Sequence, residues 1–220
     1  MAPAADAPAG DGETACASVV YIGESTSVGL LDPAYLPRPA TRLPAQLARV
    51  GVEDLDADVL GARSIVERWH DEPNAQDAVE ARRDAGVEAC WVIAMGTNDA
   101  ANLAVGGVYS APERIDRLLA AIGDQPVLWL TVRSLRSSGP YADAHMAAFD
   151  ADLEAACERH PNLRLYDWRS EVRTEWFVAD GVHFTSHGYR QRARRIARAL
   201  SAAYPSGAEP AAGCVVGGAA

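Results

Sequence analysis

The stretch VVYIGESTSVGL, residues 19–30, runs apolar, breaks into a short polar turn between two glycines, and becomes apolar again. Glu24, Ser25, Thr26 and Ser27 fill the turn. Two readings compete. In one, this is a plain strand–turn–helix connection whose glycines relieve backbone strain and whose serines cap the helix. In the other, one serine is held at the carboxyl end of a strand as a nucleophile. Both need a buried strand leading into a turn, and that unit recurs along the chain. After the run at residues 18–22, further apolar runs fall at 58–60, 89–95, 127–132 and 163–166. Helix-like stretches occupy 42–50, 64–85 (with a break near Pro73), 112–122, 142–158 and 186–203. Ser110, with Glu113 three positions on, has the pattern of a helix-capping box. WVIAM, residues 91–95, is apolar throughout rather than alternating, as in a strand covered on both faces. Five strands alternating with helices predict an α/β fold, a parallel sheet with helices on both sides.

A chain of 220 residues suits one domain, read here as 17–204 between a leader at 1–16 and a tail at 205–220. A formal charge of -10 argues against nucleic acid, which needs a basic footprint. The arginines of YRQRARRIARAL, residues 189–200, flank an apolar stripe of Tyr189, Ala193, Ile196, Ala197 and Leu200, so they read as a solvated helix face. No apolar run approaches the roughly 20 residues of a membrane span. All 20 basic residues are arginine, which removes Schiff bases, serine–lysine dyads and the phosphate-loop lysine. The leader lacks the basic and apolar regions of a signal peptide, so the chain is either cytoplasmic or follows such a region. Four cysteines favour the second reading. Cys16 and Cys214 bracket the domain, while Cys90 opens a strand and Cys157 ends a helix, suggesting the pairs Cys16–Cys214 and Cys90–Cys157 in an oxidising, extracytoplasmic compartment.

In a parallel sheet, sites form at the carboxyl ends of the strands. The residues found there are Ser25, then Gly61, then GTND (residues 96–99), then the segment 133–141, and finally DGVHFTSHG (residues 180–188). A serine hydroxyl needs a base, and His183, three residues after Asp180, can serve if the carboxylate holds one ring nitrogen and the other faces the serine. His70, His145 and His160 have acidic neighbours and read as surface residues. A metal set of Asp180, His183 and His187 is the weaker reading, because the two histidines would not share a helix face and no second ligand group follows. Acyl transfer also needs donors for the oxyanion. The backbone N–H of Ser25 and of Gly61 and the side-chain amide of Asn98 are the candidates.

GESTSVG, the glycine of DVLGARS, GTND and DGVH stand in the order of the sequence blocks of the SGNH, or GDSL-like, hydrolase family, which the chain resembles from about residue 19 to 200. The resemblance implies a flavodoxin-like three-layer αβα sandwich with a five-stranded sheet, Ser25 as nucleophile, Asp180 and His183 as its partners, and Ser25, Gly61 and Asn98 around the oxyanion. Glu24 departs from the family's usual aspartate, which implies altered turn packing. FDADLEAACERHPNLRLYDW, residues 149–168, is similar to actinobacterial extracytoplasmic members. The implied activity is a cofactor-free, metal-free serine esterase, a monomer hydrolysing an acyl ester of a carbohydrate or glycolipid. Acyl transfer to a sugar hydroxyl and a silent carbohydrate-binding domain are its rivals. Tyr109, Arg133 and Trp176 are the expected substrate contacts.

Overall fold

In a computed structural model, residues 12–217 are described. Strand β1 (Ser18–Gly23) lies between β2 (Asp54–Val59) and β3 (Cys90–Ala94). The sheet continues through β4 (Val127–Leu130), β5 (Leu163–Tyr166) and β6 (Val215–Val216), in the order β2-β1-β3-β4-β5-β6 with every pair parallel. Chain order reverses between β1 and β3, and such a reversal opens a crevice at the carboxyl edge of a sheet.

Side chains alternate across β1, and the two faces build two cores. Val19 and Tyr21 pack with Leu43 and Leu47 of α1 (Leu43–Ala48) and with Ile196 and Leu200 of α7 (Ser186–Ala203). Val20 and Ile22 pack instead with Val79 of α2 (Ala75–Asp84), Ile115 of α4 (Ala111–Ile122) and Phe149 of α5 (Asp143–Ala156). The result is the expected three-layer sandwich, with each fully buried aliphatic or aromatic side chain contributing about 1.5–3 kcal/mol. Two further helices are short: α3 (Thr97–Ala104) and α6 (Trp168–Glu171). The Ser110 box forms, the Ser110 N–H donating to Glu113 Oε2 at 2.7 Å.

Several expectations change. The sheet has six strands rather than five, because the tail returns as β6 beside β5. β2 is longer than residues 58–60; its acidic residues Asp54, Asp56 and Asp58 hide the strand pattern, and Arg82 bridges Asp56 and Asp58 along this edge. The helix read over 64–85 holds only at Ala75–Asp84, where Asn74 and Asp77 form a capping box directly after Pro73. The disulfides pair differently: Cys16 with Cys90 and Cys157 with Cys214, at Cα separations of 5.7 and 6.0 Å. Register explains this. Val19 of β1 faces Cys90 of β3, which brings Cys16 beside Cys90, and β6 carries Cys214 alongside β5. The leader lies outside the described residues up to residue 11, whereas Thr14 is buried and its N–H donates to Val50 O at 2.7 Å. No helix among the described residues is long and apolar enough to cross a membrane.

Candidate active site

The decisive turn leaves β1 at Gly23, which pairs in register with Val59 of β2 and Ala94 of β3. Ser25, Gly61 and Gly96 each stand two residues beyond that level, so one edge collects all three. Glu24 is extended, and a 3₁₀ turn begins at Ser25 and runs to Leu30. Thr26 and Ser27 face inward, the Ser27 hydroxyl lying 2.8 Å from the Tyr21 hydroxyl, which leaves Ser25 as the half-exposed hydroxyl of the three. Gly29 is required because a Cβ there would lie inside the Tyr189 ring. Gly96 is required because its φ is 135° and its Cβ would press on Phe149.

Asp180 and His183 come from a tight loop between Phe177 and Phe184, which form an antiparallel bridge with ring centroids 4.9 Å apart. Asp180 Oδ1 accepts the N–H groups of Val182 at 2.7 Å and His183 at 2.9 Å. Its Oδ2 lies 2.8 Å from His183 Nδ1, and His183 Nε2 lies 2.9 Å from Ser25 Oγ. Because the carboxylate only accepts, Nδ1 carries hydrogen and Nε2 is left to accept from the serine. Partial burial pushes the Asp180 carboxyl upward, but the N–H donors and the imidazole outweigh it and hold the group below its ordinary value. Three side chains can thus pass a proton from a hydroxyl to an imidazole backed by a carboxylate, which is the equipment for attack on an acyl carbonyl.

Behind the serine sits a second carboxylate. Glu24 is completely buried, and its oxygens accept from Thr97 N at 3.2 Å, Asn98 N at 3.1 Å and Asn98 Nδ2 at 3.0 Å. Burial pushes its carboxyl up to about 7 against the pull of those hydrogen bonds. The altered packing expected of Glu24 is therefore a clamp on the GTND turn. Asn98 Nδ2 also donates to Arg63 O at 2.8 Å, while its Oδ1 accepts from the Tyr141 hydroxyl at 3.0 Å. In this arrangement one amide hydrogen is engaged by the Arg63 carbonyl and the other by the Glu24 carboxyl, so donation to an oxyanion would draw one of them away. Gly61 is exposed, and a Cβ there would meet nothing within 4 Å.

The expected substrate contacts each have partners within the chain. Trp176 is buried, stacked on Trp168 at 5.8 Å and covered by Arg195 at 4.8 Å. Arg133 donates to the carbonyls of Arg169 and Val172, tying down α6. Tyr109 is half-exposed with the Arg117 guanidinium 4.0 Å from its ring centre. Its loop is held by the wholly buried Arg114, which pairs with Glu67 and Asp99 and donates to Val108 O. His187 is turned outward on α7, its ring nitrogens beside Arg190 and Gln191.

The fold and site together are a parallel α/β sandwich with Ser25, His183 and Asp180 joined at its carboxyl edge, an arrangement suited to acyl transfer. The family model of the GDSL-like Lipase/Acylhydrolase family matches residues 21–191, and the chain belongs to that family of ester hydrolases. No curated protein sequence matches it. Among solved structures it is similar to a lipase/acylhydrolase from Enterococcus faecalis, with TM-score 0.60 and 19% identity over 82% of this chain and 93% of that one. A carbohydrate acetylesterase family member from Sinorhizobium meliloti gives TM-score 0.64 and 17% identity over 84% and 97%. The native aryl esterase of M. Smegmatis gives 0.63 and 15% over 82% and 96%. At these identities the likeness is one of fold.

Proposed function

We propose that the chain is a serine esterase that hydrolyses an O-acyl ester of a carbohydrate or glycolipid through an acyl-enzyme at Ser25. The observation that carries this reading is the continuous chain from Ser25 Oγ to His183 Nε2 at 2.9 Å and from His183 Nδ1 to Asp180 Oδ2 at 2.8 Å. Ser25 Oγ attacks the acyl carbonyl while His183 Nε2 takes its proton. The imidazolium, stabilised by Asp180, returns that proton to the leaving alcohol, and water then frees the acid by the reverse sequence. The N–H groups of Ser25 and Gly61 and the side-chain amide of Asn98 receive the oxyanion. The carbohydrate half of the reading follows the S. meliloti carbohydrate acetylesterases among the structural neighbours. The two disulfides favour work in an oxidising, extracytoplasmic compartment.

The test is hydrolysis of nitrophenyl esters from acetyl to dodecanoyl, alongside acetylated sugars, with Ser25→Ala as the blank. Turnover is expected to fall on the order of 10⁴-fold or more in the variant. A variant that keeps wild-type turnover overturns the acyl-enzyme, and activity confined to nitrophenyl esters overturns the carbohydrate assignment.

A further inference from the structure

One arginine of α7 departs from the solvated face read for residues 189–200. Arg192 stands three residues after Tyr189 and four before Ile196, on the buried stripe of the helix, and is 2% exposed. Its guanidinium lies among rings, 4.9 Å from the centre of Trp168 and 5.3 Å from that of Phe184. It also stands against the Tyr21 hydroxyl of β1. Burial raises the Tyr21 pKa, while the charge and hydrogen bonding of Arg192 pull the other way. Arg192 Nε is shut off from water and has no hydrogen-bond partner among the described residues. A buried cation with an unmade hydrogen bond costs stability where an apolar side chain would fill the same stripe. Packing alone therefore does not account for this arginine.

Its neighbours lead to the two ends of the Ser25–His183 hydrogen bond. On one side, the Tyr21 hydroxyl lies 2.8 Å from Ser27 Oγ, and the Ser27 N–H donates to Glu24 O at 2.9 Å, closing the turn around Ser25. On the other, Phe184 follows His183 directly in the chain, and Trp168 fixes its ring edge-on at 5.5 Å. We propose that Arg192 is a positioning residue for the esterase reaction, locking the serine turn to the histidine loop and so setting the approach of Ser25 Oγ to His183 Nε2. The two residues are 158 positions apart in sequence, and their 2.9 Å contact is made across separate elements. Proton transfer over such a contact tolerates little drift. Tyr189 of the same helix adds an apolar tie, its ring filling the space beside Gly29 and lying 5.7 Å from Phe184. Arg192 adds the directional one, a charge facing a hydroxyl on the serine side and a ring on the histidine side.

This assignment rests on Ser25 being the nucleophile, and the experiment separates the two. Arg192→Met, Tyr21→Phe, Arg195→Met and Ser25→Ala are compared in kcat and KM on one nitrophenyl ester, with thermal melting alongside. Arg192→Met is expected to lower kcat by about 10–10²-fold with KM within about threefold. Its melting temperature is expected to stay level or rise, as when a buried ion gives way to an apolar chain, so activity and stability part company. Tyr21→Phe keeps the ring and cuts the link to Ser27; it is expected to lower kcat too, and the double variant to lose no more than Arg192→Met alone. Additive losses would break the proposed path. Arg195→Met removes the next inward arginine, which covers Trp176 and pairs with Glu171, and is expected to leave kcat within about twofold. An equal loss there would mean general loosening of α7, and the proposal falls. If Ser25→Ala is inactive while a folded Arg192→Met keeps wild-type kcat, the positioning role is overturned and the acyl-enzyme stands. If Arg192→Met does not fold, Tyr21→Phe decides, and wild-type kcat in that variant overturns the proposal. An active Ser25→Ala overturns both readings.

Discussion

Two carboxylates flank the serine turn, and they live in opposite surroundings. Asp180 is on an exposed loop, its oxygens served by two backbone N–H groups and an imidazole, and it stays ionised well into acid. Glu24 is sealed behind the serine, served by two backbone N–H groups, an amide and the hydroxyls of Thr26 and Thr97, yet burial lifts it to about 7. The carboxylate with more donors is the one shifted upward, because water reaches one carboxylate and not the other. In the proposed reaction the exposed group keeps its charge beside the imidazolium that would form on His183. The buried group costs stability in return for fixing a turn.

The sharpest way to break this comparison is to remove what each carboxylate serves. His183→Ala should cost activity about as severely as Ser25→Ala, on the order of 10⁴-fold or more, with little change in melting temperature. Asp180→Asn should cost about 10²–10⁴-fold in kcat and less than about 1 kcal/mol of stability, as expected for a surface group. Glu24→Leu should reverse that order. It strands the N–H groups of Thr97 and Asn98 and one amide hydrogen, each worth about 1–3 kcal/mol, so chemical denaturation should register the larger loss.

Titration sharpens the contrast further. A carboxyl lifted from 4.5 to about 7 binds its proton more tightly folded than unfolded. Stability from Glu24 is therefore full below about pH 4.5 and lost as pH rises through 7, by on the order of 3 kcal/mol. Asp180, whose value is depressed, behaves in reverse and gives up its contribution only as pH falls below the ordinary 3.8. Melting temperature should accordingly peak near pH 5 and decline toward pH 8, and a flat profile would contradict the buried assignment. The smallest effect concerns Asp150, whose Oδ1 accepts the Val132 N–H at 2.8 Å and whose burial lifts it to about 8. Asp150→Asn should melt within about 1 °C of wild type at pH 6 and above it at pH 9.

The layer architecture and the residues of the candidate Ser25–His183–Asp180 chain were legible because each leaves a local mark. β1, β3 and β4 are continuous apolar runs, and Ser25, Gly61, Asn98 and the Asp180–His183 pair each follow an element end. What escaped depends on partners distant in sequence. The resting partners of the Asn98 amide, Glu24 and the Arg63 carbonyl, are ones no spacing reveals. Trp176 sits among charged residues and reads as a rim aromatic, yet Trp168 and Arg195 enclose it. Tyr141 reads only as a residue of the flanking segment 133–141, and its hydrogen bond to Asn98, 43 residues away, is visible only in the folded chain. β2 alternates acids that Arg82 neutralises from α2, and β6 is a two-residue strand fixed by the fold around it.

The cysteine pairing has a consequence for how the chain is made. Cys16–Cys90 and Cys157–Cys214 enclose separate lengths of chain, neither threaded through nor nested within the other. A polypeptide delivered from its amino end can therefore seal the first loop before Cys157 has arrived, with one cysteine partner present at a time. The alternative pairing of Cys16 with Cys214 would have held the first thiol open until Cys214 appeared, exposed throughout to exchange with the other two.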